Sequence, residues 1–536
     1  MPKENNTHTK NGRNYGKTAS TSRGERPYGR PAPEGRGERK FERSDRSPRG
    51  ERPYGRPAPE GRGERKFERN DQAPQGERIY GRPAPSMRNA VDLQARRMAL
   101  DVLIDVHERG AFASLALGPR LKLAKDMKPE DRRLVTNLVY GTIENEIRLD
   151  YVLDQFMAHP TTDIYQRDIL RMGAYQVLFL DRVPDHAAID ESVKMIKALG
   201  QENVSGLING VLRNLSRKKE ELVWPKREDD FIQYLHIMSS TPVWLVEKLI
   251  NDYSEDMAEK ILMNRSTEHP QTVRPNMLRL TDEQFEKLLD EKSIQYKKGK
   301  VPHSYKIYDV QELPVDVDYL KGNIVIQGQS SMLAAEAVQA KPGMKILDAC
   351  AAPGGKSAYM CETMQLTGRV FAWELHEKRG VLLENTKRRL GLENLRITVR
   401  NATTPKADME NTLDAILIDA PCSGTGVLAE KPDIKQRLKP EDIDEIVKTQ
   451  AQLLETLCGY VKVGGLLVYS TCAILPEENE KQIANFLQNH PEFSVEAMPT
   501  SVPEELRSKE GPLGLQLFAH CDEMEGFYIV RLRRKK

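Results

Sequence analysis

Five short apolar runs, Lys345–Ala349, Val370–Glu374, Leu395–Val399, Ala415–Asp419 and Leu466–Ser470, are separated by segments of helical periodicity. This alternation constrains the fold more than any other feature, because parallel strands need a crossover between them, usually a helix, and the crossovers cover the faces of the sheet. It predicts a doubly wound, Rossmann-type α/β domain over residues 322–536. Ligands of such sheets bind outside the carboxyl ends of the strands, so the residues after each run carry the information. After the first run comes Asp348-Ala-Cys350-Ala351-Ala352-Pro353-Gly354-Gly355-Lys356-Ser357, a turn of small residues that opens a helix. Small side chains let a ligand approach the backbone, and the free amides of a helix start are donors. The turn is neither GxGxxG nor GxxxxGK[ST], so neither a dinucleotide nor a nucleotide-phosphate loop is supported. Glu374 closes the second run 20 residues after Gly354, the spacing of an acid that accepts ribose hydroxyls. A ribose-bearing ligand that needs no pyrophosphate follows, and S-adenosylmethionine fits this better than NAD.

The fourth run leads into Asp419-Ala-Pro-Cys422-Ser-Gly-Thr-Gly426 and the fifth into Thr471-Cys472. Two cysteines therefore emerge at the edge that holds the ligand turn. Most cysteines are inert core residues, but a thiolate is a strong nucleophile when partly exposed and acidified. Two at one edge suggest covalent catalysis with divided roles. Disulfide exchange between them is the weaker alternative. The other cysteines, Cys361, Cys458 and Cys521, read as structural, and the spacing of the six contains no CxxC that would suggest zinc or a disulfide framework. No metal is expected, and no run is long enough for a membrane helix.

Upstream, Leu93, Met98, Ala99, Val102, Leu103 and Val106 share one helical face, and further helical stretches follow to Arg217. An all-helical bundle over 89–221 results. Residues 222–321 mix a helical piece at Val243–Ile261, a strand at Gln271–Leu280 and a helix at Glu283–Leu289, which reads as a small α/β connector. Residues 1–88 differ in kind. Arg23–Arg43 recurs unchanged at Arg49–Arg69, a period of 26 residues, and each unit has one Tyr and at most one Phe among Arg, Gly and Pro. Such units cannot bury a core, so this segment is expected to be disordered. It holds 22 basic against 12 acidic residues, while the whole chain has a formal charge of only +2, leaving −8 for the remainder. Arginines interleaved with aromatic rings suit phosphate attraction and base stacking on RNA.

The wording of several segments supports a resemblance. ILRMGAYQVLFLDRVPDHAAIDESV (Ile169–Val193) and GLINGVLRNLSR (Gly206–Arg217) resemble the NusB-like RNA-binding domain that precedes the catalytic part of bacterial ribosomal RNA cytosine methyltransferases. LDACAAPGGKS (Leu347–Ser357), DAPCSGTG (Asp419–Gly426), YSTCAILPEENE (Tyr469–Glu480) and EGFYIVRL (Glu525–Leu532) are similar to the RNA 5-methylcytosine methyltransferase family. The resemblance implies that Cys472 adds to carbon 6 of cytosine, that Cys422 assists loss of the carbon 5 proton and release, that Asp419 holds the amino edge of the base and that Lys356 orients the reactants. It places the methionine portion of S-adenosylmethionine on Cys350, Ala351, Ala352, Pro353, Gly354, Gly355 and Lys356, with Asp419 close by, and the ribose on Glu374. After the third run this chain reads Val-Arg-Asn401-Ala-Thr403 where the family carries an acid, so Asn401 or Thr403 is the expected adenine contact. His186 reads as a helix-start residue. The implied protein is a cytoplasmic monomer acting on 16S ribosomal RNA. The alternatives are transfer RNA or 23S RNA as substrate, and a non-catalytic RNA-binding assembly factor.

Overall fold

The computed structural model describes residues 94–265, 270–308, 313 and 316–536. The basic repeats at 1–88 lie outside these residues.

Seven helices, Gln94–His107, Ala113–Leu123, Pro129–Glu144, Glu146–Asp154, Ile164–Phe179, Asp185–Ala198 and Ser205–Lys218, form the bundle. Its core is a single cluster of Leu, Ile, Val, Ala and Met from all seven. Asp163 starts the fifth helix by accepting the Gln166 N–H, which satisfies one of the orphan amides of a helix start. The helix Ala113–Leu123 has no counterpart in the periodicity. It contains Gly118 and Pro119 and buries only Ala113, Ala116 and Leu117, too narrow a stripe to be read from spacing. His186 is exposed in the first turn of Asp185–Ala198.

Next come the helices Phe231–Met238, Val243–Asp252 and Glu255–Leu262. The single helical piece expected at Val243–Ile261 is two, because the backbone turns out of helix at Tyr253 and Ser254 caps the next helix through the Met257 N–H. A four-stranded antiparallel sheet follows, of β1 (Gln271–Pro275), β2 (Tyr296–Lys298), β3 (Tyr305–Ile307) and β4 (Ile324–Ile326), in the order β2-β3-β1-β4. β1 stops at Pro275, short of the expected Leu280, since proline has no N–H to continue the ladder. Asp282–Glu291 packs on this sheet and begins with a Thr281/Gln284 capping box. Val273 of β1 pairs with Ile326, so the small sheet takes its last strand from beyond residue 321.

The large sheet contains β5 (Lys345–Asp348), β6 (Arg369–Glu374), β7 (Leu395–Val399), β8 (Leu413–Asp419), β9 (Val461–Thr471), β10 (Phe493–Glu496), β11 (Leu515–Leu517) and β12 (Phe527–Arg534), in the order β10-β12-β9-β8-β5-β6-β7, with β11 also on β12. β5 to β9 are the five expected parallel strands. Their order reverses between β5 and β8, which makes the space above those two the switch point where doubly wound sheets bind ligands. The alternation along each strand divides the core in two. Ile346, Ala415, Leu417 and Val468 join one cluster, and Leu347, Ile416, Ile418 and Leu467 the other, as a period of two requires of a sheet covered on both faces. β12 runs antiparallel to β9, β10 and β11, an edge that the parallel pattern did not include.

Candidate active site

The turn after β5 stays tied to both neighbouring strands, the Ala349 N–H donating to the Leu417 carbonyl and the Ala351 N–H to that of Trp373, each at 2.9 Å. It therefore sits at the switch point. Gly354 caps the helix Gly355–Thr363 with φ of 107°, and a Cβ there would stand 3.0 Å from Leu383 Cδ2. The dihedral requires glycine, and a Cβ there would also press on Leu383. Behind the turn, Asp348 accepts from Ser357 Oγ at 2.6 Å while its Oδ1 is buried without a partner. Burial pushes this carboxyl up to about 7, Ser357 opposing the shift. Glu374 ends β6 almost wholly buried, with Oε1 accepting the His376 N–H at 3.0 Å and Oε2 3.7 Å from Arg379. A glycine cradle with free helix-start amides, flanked by an acid at the end of the next strand, fits an adenosyl amino acid by its chemistry.

The second half of the site is built from the ends of β8 and β9. Asp419 holds Lys356 Nζ on Oδ2 at 2.8 Å and Ser470 Oγ on Oδ1 at 3.0 Å. Burial works against the charge of Lys356, but the adjacent Asp419 carboxylate prevails and keeps the ammonium above its usual range. Lys356 Nζ also lies 5.5 Å from the Phe527 ring centroid. The two loops are laced together by the Ala420 N–H to the Ser470 carbonyl and the Gly426 N–H to that of Cys472, both 2.9 Å. Gly526, from the Glu525–Leu532 segment, donates its N–H to the Gly426 carbonyl at 2.9 Å, and a Cβ on Gly426 would lie 2.2 Å from the Gly526 carbonyl oxygen. This packing explains a glycine at each position.

The lacing brings Cys422 Sγ to 3.0 Å from Cys472 Sγ, with the Cys472 N–H also 3.3 Å from Cys422 Sγ. The two thiols are not equivalent. The hydrogen bond with Cys422 lowers the pKa of Cys472 against the effect of burial, helped by Lys431 and Lys356. The same bond, then burial, raises Cys422, and the charges of Glu478 and Asp419 add to it. Of the two, Cys472 is therefore the more acidic and Cys422 the one that holds its proton more tightly. Cys350 is half-buried in the ligand turn, and burial raises its thiol. Cys361 and Cys458 are buried and Cys521 is exposed. Asn401 lies past the end of β7, exposed, with Oδ1 occupied by the Thr403 N–H and Oγ1.

Spacing alone did not single out Asp348, Glu478 and Asn479. Glu478 and Asn479 follow the TC motif in PEENE, and both are fully buried. Asn479 accepts from Thr471 Oγ1 and donates to the Ala473 carbonyl, bracketing Cys472. The signal available was an uninterrupted polar tetrad directly after an apolar strand and turn.

A family model described as 16S rRNA methyltransferase RsmB/F matches residues 335–533, the NusB family model matches 93–217, and the Methyltr_RsmF/B-like ferredoxin-like domain matches 241–308. A protein of Bacillus subtilis (strain 168) named probable ribosomal RNA small subunit methyltransferase B is 34% identical over 443 residues, covering 82% of this chain and 98% of its own length. The chain belongs to the RsmB/F family of methyltransferases. Another member, the ribosomal RNA small subunit methyltransferase B of Yersinia pestis, is 31% identical over 458 residues, 84% of this chain and 100% of its own. Among solved structures, PH0851 shares the fold over 81% of this RsmB/F-family chain and 98% of its own, with a TM-score of 0.70 at 24% identity. NSun6 from Pyrococcus horikoshii with SFG covers 56% of this chain and all of its own, with a TM-score of 0.50 at 19% identity.

Proposed function

We propose that this protein transfers a methyl group from S-adenosylmethionine to carbon 5 of a cytosine in 16S ribosomal RNA through a transient bond between Cys472 and carbon 6. The observation that carries this reading is the pair of cysteine sulfurs, 3.0 Å apart, at the sheet edge that also holds the glycine cradle. Carbon 5 of cytosine is a poor nucleophile, and addition of a thiolate at carbon 6 converts it to an enamine-like centre. S-adenosylmethionine supplies an electrophilic methyl on sulfonium. Residues Cys350 to Lys356 hold its methionine portion with Asp419 nearby, Glu374 its ribose, and Asn401 the adenine through the amide nitrogen that Thr403 leaves unused.

Cys472 forms the carbon 6 bond while Asp419, itself held by Lys356 and Ser470, meets the amino edge of the base. Once the Cys472 charge is consumed in that bond, the pressure that kept Cys422 protonated falls, and Cys422 releases its proton to solvent. The Cys422 thiolate then takes the carbon 5 proton as the Cys472–carbon 6 bond breaks, which restores the starting pair. The net change is one methyl gained by the base, S-adenosylmethionine left as S-adenosylhomocysteine, and one proton released. The target must leave any base stack to reach the two sulfurs. Residues 89–221 and the connector, whose sheet runs through β4 at Ile326, act as the RNA-holding modules ahead of the catalytic domain, in a cytoplasmic, monomeric enzyme. The small-subunit substrate rests on the names of the relatives.

The test is methyl transfer from labelled S-adenosylmethionine to unmodified 16S RNA, 23S RNA and transfer RNA, as naked RNA and as subunit particles. Label recovered as 5-methylcytosine in 16S RNA is expected. Label in another RNA would overturn the substrate, and none in any would favour an assembly factor. Cys422→Ala should accumulate a stable protein–RNA bond and Cys472→Ala should form none, and the reverse pattern would exchange the two roles.

A further inference from the structure

Two thiols 3.0 Å apart could share one proton either way, so something outside the pair must break the symmetry. Asp419 does not, since its charge bears on both sulfurs. Lys356, from the helix after β5, and Lys431, from the loop after Cys422, bear on Cys472. On the other side stands one group, Glu478, from the loop after β9.

Glu478 has no exposed surface. Its Oε2 accepts the Ser423 N–H at 2.9 Å and Gln450 Nε2 at 3.1 Å, and its Oε1 accepts Ser423 Oγ. Gln450 also donates to the Pro421 carbonyl at 2.9 Å, so the residues on both sides of Cys422 hang from the same buried assembly. Tyr469 fixes the Glu478 backbone through its carbonyl at 2.7 Å. Burial raises the Glu478 carboxyl, while the hydrogen bonds from Ser423 and Gln450 oppose that rise.

We propose that Glu478 is a positioning residue of the transfer reaction, which holds the Cys422 loop through Ser423 and, by its negative charge behind that loop, keeps the proton on Cys422 and the charge on Cys472. This rests on the two-cysteine reading above for its role in catalysis, but its test does not. Division of labour between the cysteines is then a property of the buried scaffold and not of the sulfurs themselves.

The experiment removes Cys472 and follows the acidity of Cys422 alone. In a Cys472→Ala background, alkylation of Cys422 by iodoacetamide is measured against pH, with the modified peptide identified by mass. Glu478→Gln, which keeps the shape and removes the charge, should move the midpoint down by about one pH unit, while Glu478→Asp should leave it near that of the parent. An unmoved midpoint in a Glu478→Gln protein with unchanged thermal unfolding overturns the proposal. If Glu478→Gln does not fold, Ser423→Ala in the otherwise intact enzyme tests the other half. Loss of the hydroxyl bond should lower kcat by about fivefold, the equivalent of one net hydrogen bond, with KM for cofactor and RNA unchanged. An unchanged kcat overturns the positioning role. Should the enzyme methylate a different base or RNA, the titration would stand, so the two readings fail separately.

Discussion

The side-chain hydrogen bond with Cys422 lowers the pKa of Cys472, and removing that bond has a sign. Without the Cys422 thiol, Cys472 is deprived of the partner that lowers it, while burial and the Asp419 charge still press upward. In the free enzyme, Cys422→Ala should therefore shift the alkylation midpoint of Cys472 to higher pH, read by iodoacetamide labelling of the Cys472 peptide. A midpoint at or below that of the parent would mean the lysines alone set the charge. The same residue should give the intact enzyme a rate that rises as Cys472 ionises and falls again when Cys422 deprotonates early, because the proposed mechanism needs one charged and one neutral sulfur at the outset. At this scale the sequence was informative about the residues proposed to touch reactants. Each stands at the end of an apolar strand or in the turn or helix that follows it, where topology alone makes position meaningful. Glu478 meets Ser423 and Gln450, 55 and 28 residues earlier in the chain, and no local pattern announces such partners.

Between elements, the small sheet is fastened to the helix of the ligand turn by one buried ion pair. Arg274 of β1 and Glu362 of Gly355–Thr363 are both fully buried and meet at 2.6 and 3.0 Å, Glu362 also accepting the Met277 N–H at 3.0 Å. Arg274 Nε donates to Gln327, whose side chain lies where a Cβ on Gly355 would approach it at 3.3 Å. The connector is thereby braced against the cradle. A buried pair is costly to break from one side, because the remaining charge has no partner. Arg274→Met should cost about 3–5 kcal/mol in denaturant unfolding, and adding Glu362→Gln should recover part of it. Equal stability of Arg274→Met and the parent would show that water or another cation replaces the guanidinium. Helices and parallel strands were legible because their periodicity is local. The antiparallel edge of β10, β11 and β12 was not, since β12 reads as one more apolar run and only its pairing with β9, about 60 residues earlier as in Ile529 with Ser470, sets its direction. β4 escaped for the same reason, being three residues whose identity as a strand comes from β1.

For the molecule as a whole, charge is distributed so that one segment decides its long-range field. The 22 basic and 12 acidic residues of 1–88 offset a remainder of −8, so deletion of Met1–Arg88 converts a near-neutral protein of +2 into an anionic one. RNA is a polyanion, and binding through Lys and Arg releases counterions, which makes the logarithm of affinity fall with the logarithm of salt in proportion to the phosphates engaged. Loss of the segment should weaken RNA binding most at low salt, and it should flatten the salt dependence by about 0.7 in slope for each single-stranded phosphate that the arginines neutralise. Catalysis itself should survive, because 82–84% of this chain already covers 98–100% of relatives named as ribosomal RNA small subunit methyltransferases. The measurement is RNA affinity of full-length and truncated protein across a salt titration, alongside kcat at saturating RNA. Converging affinities at high salt with equal kcat would assign the segment to electrostatic capture. Coincident curves at every salt concentration would show that its arginines do not meet RNA, and a fall in kcat would tie the segment to the active site instead.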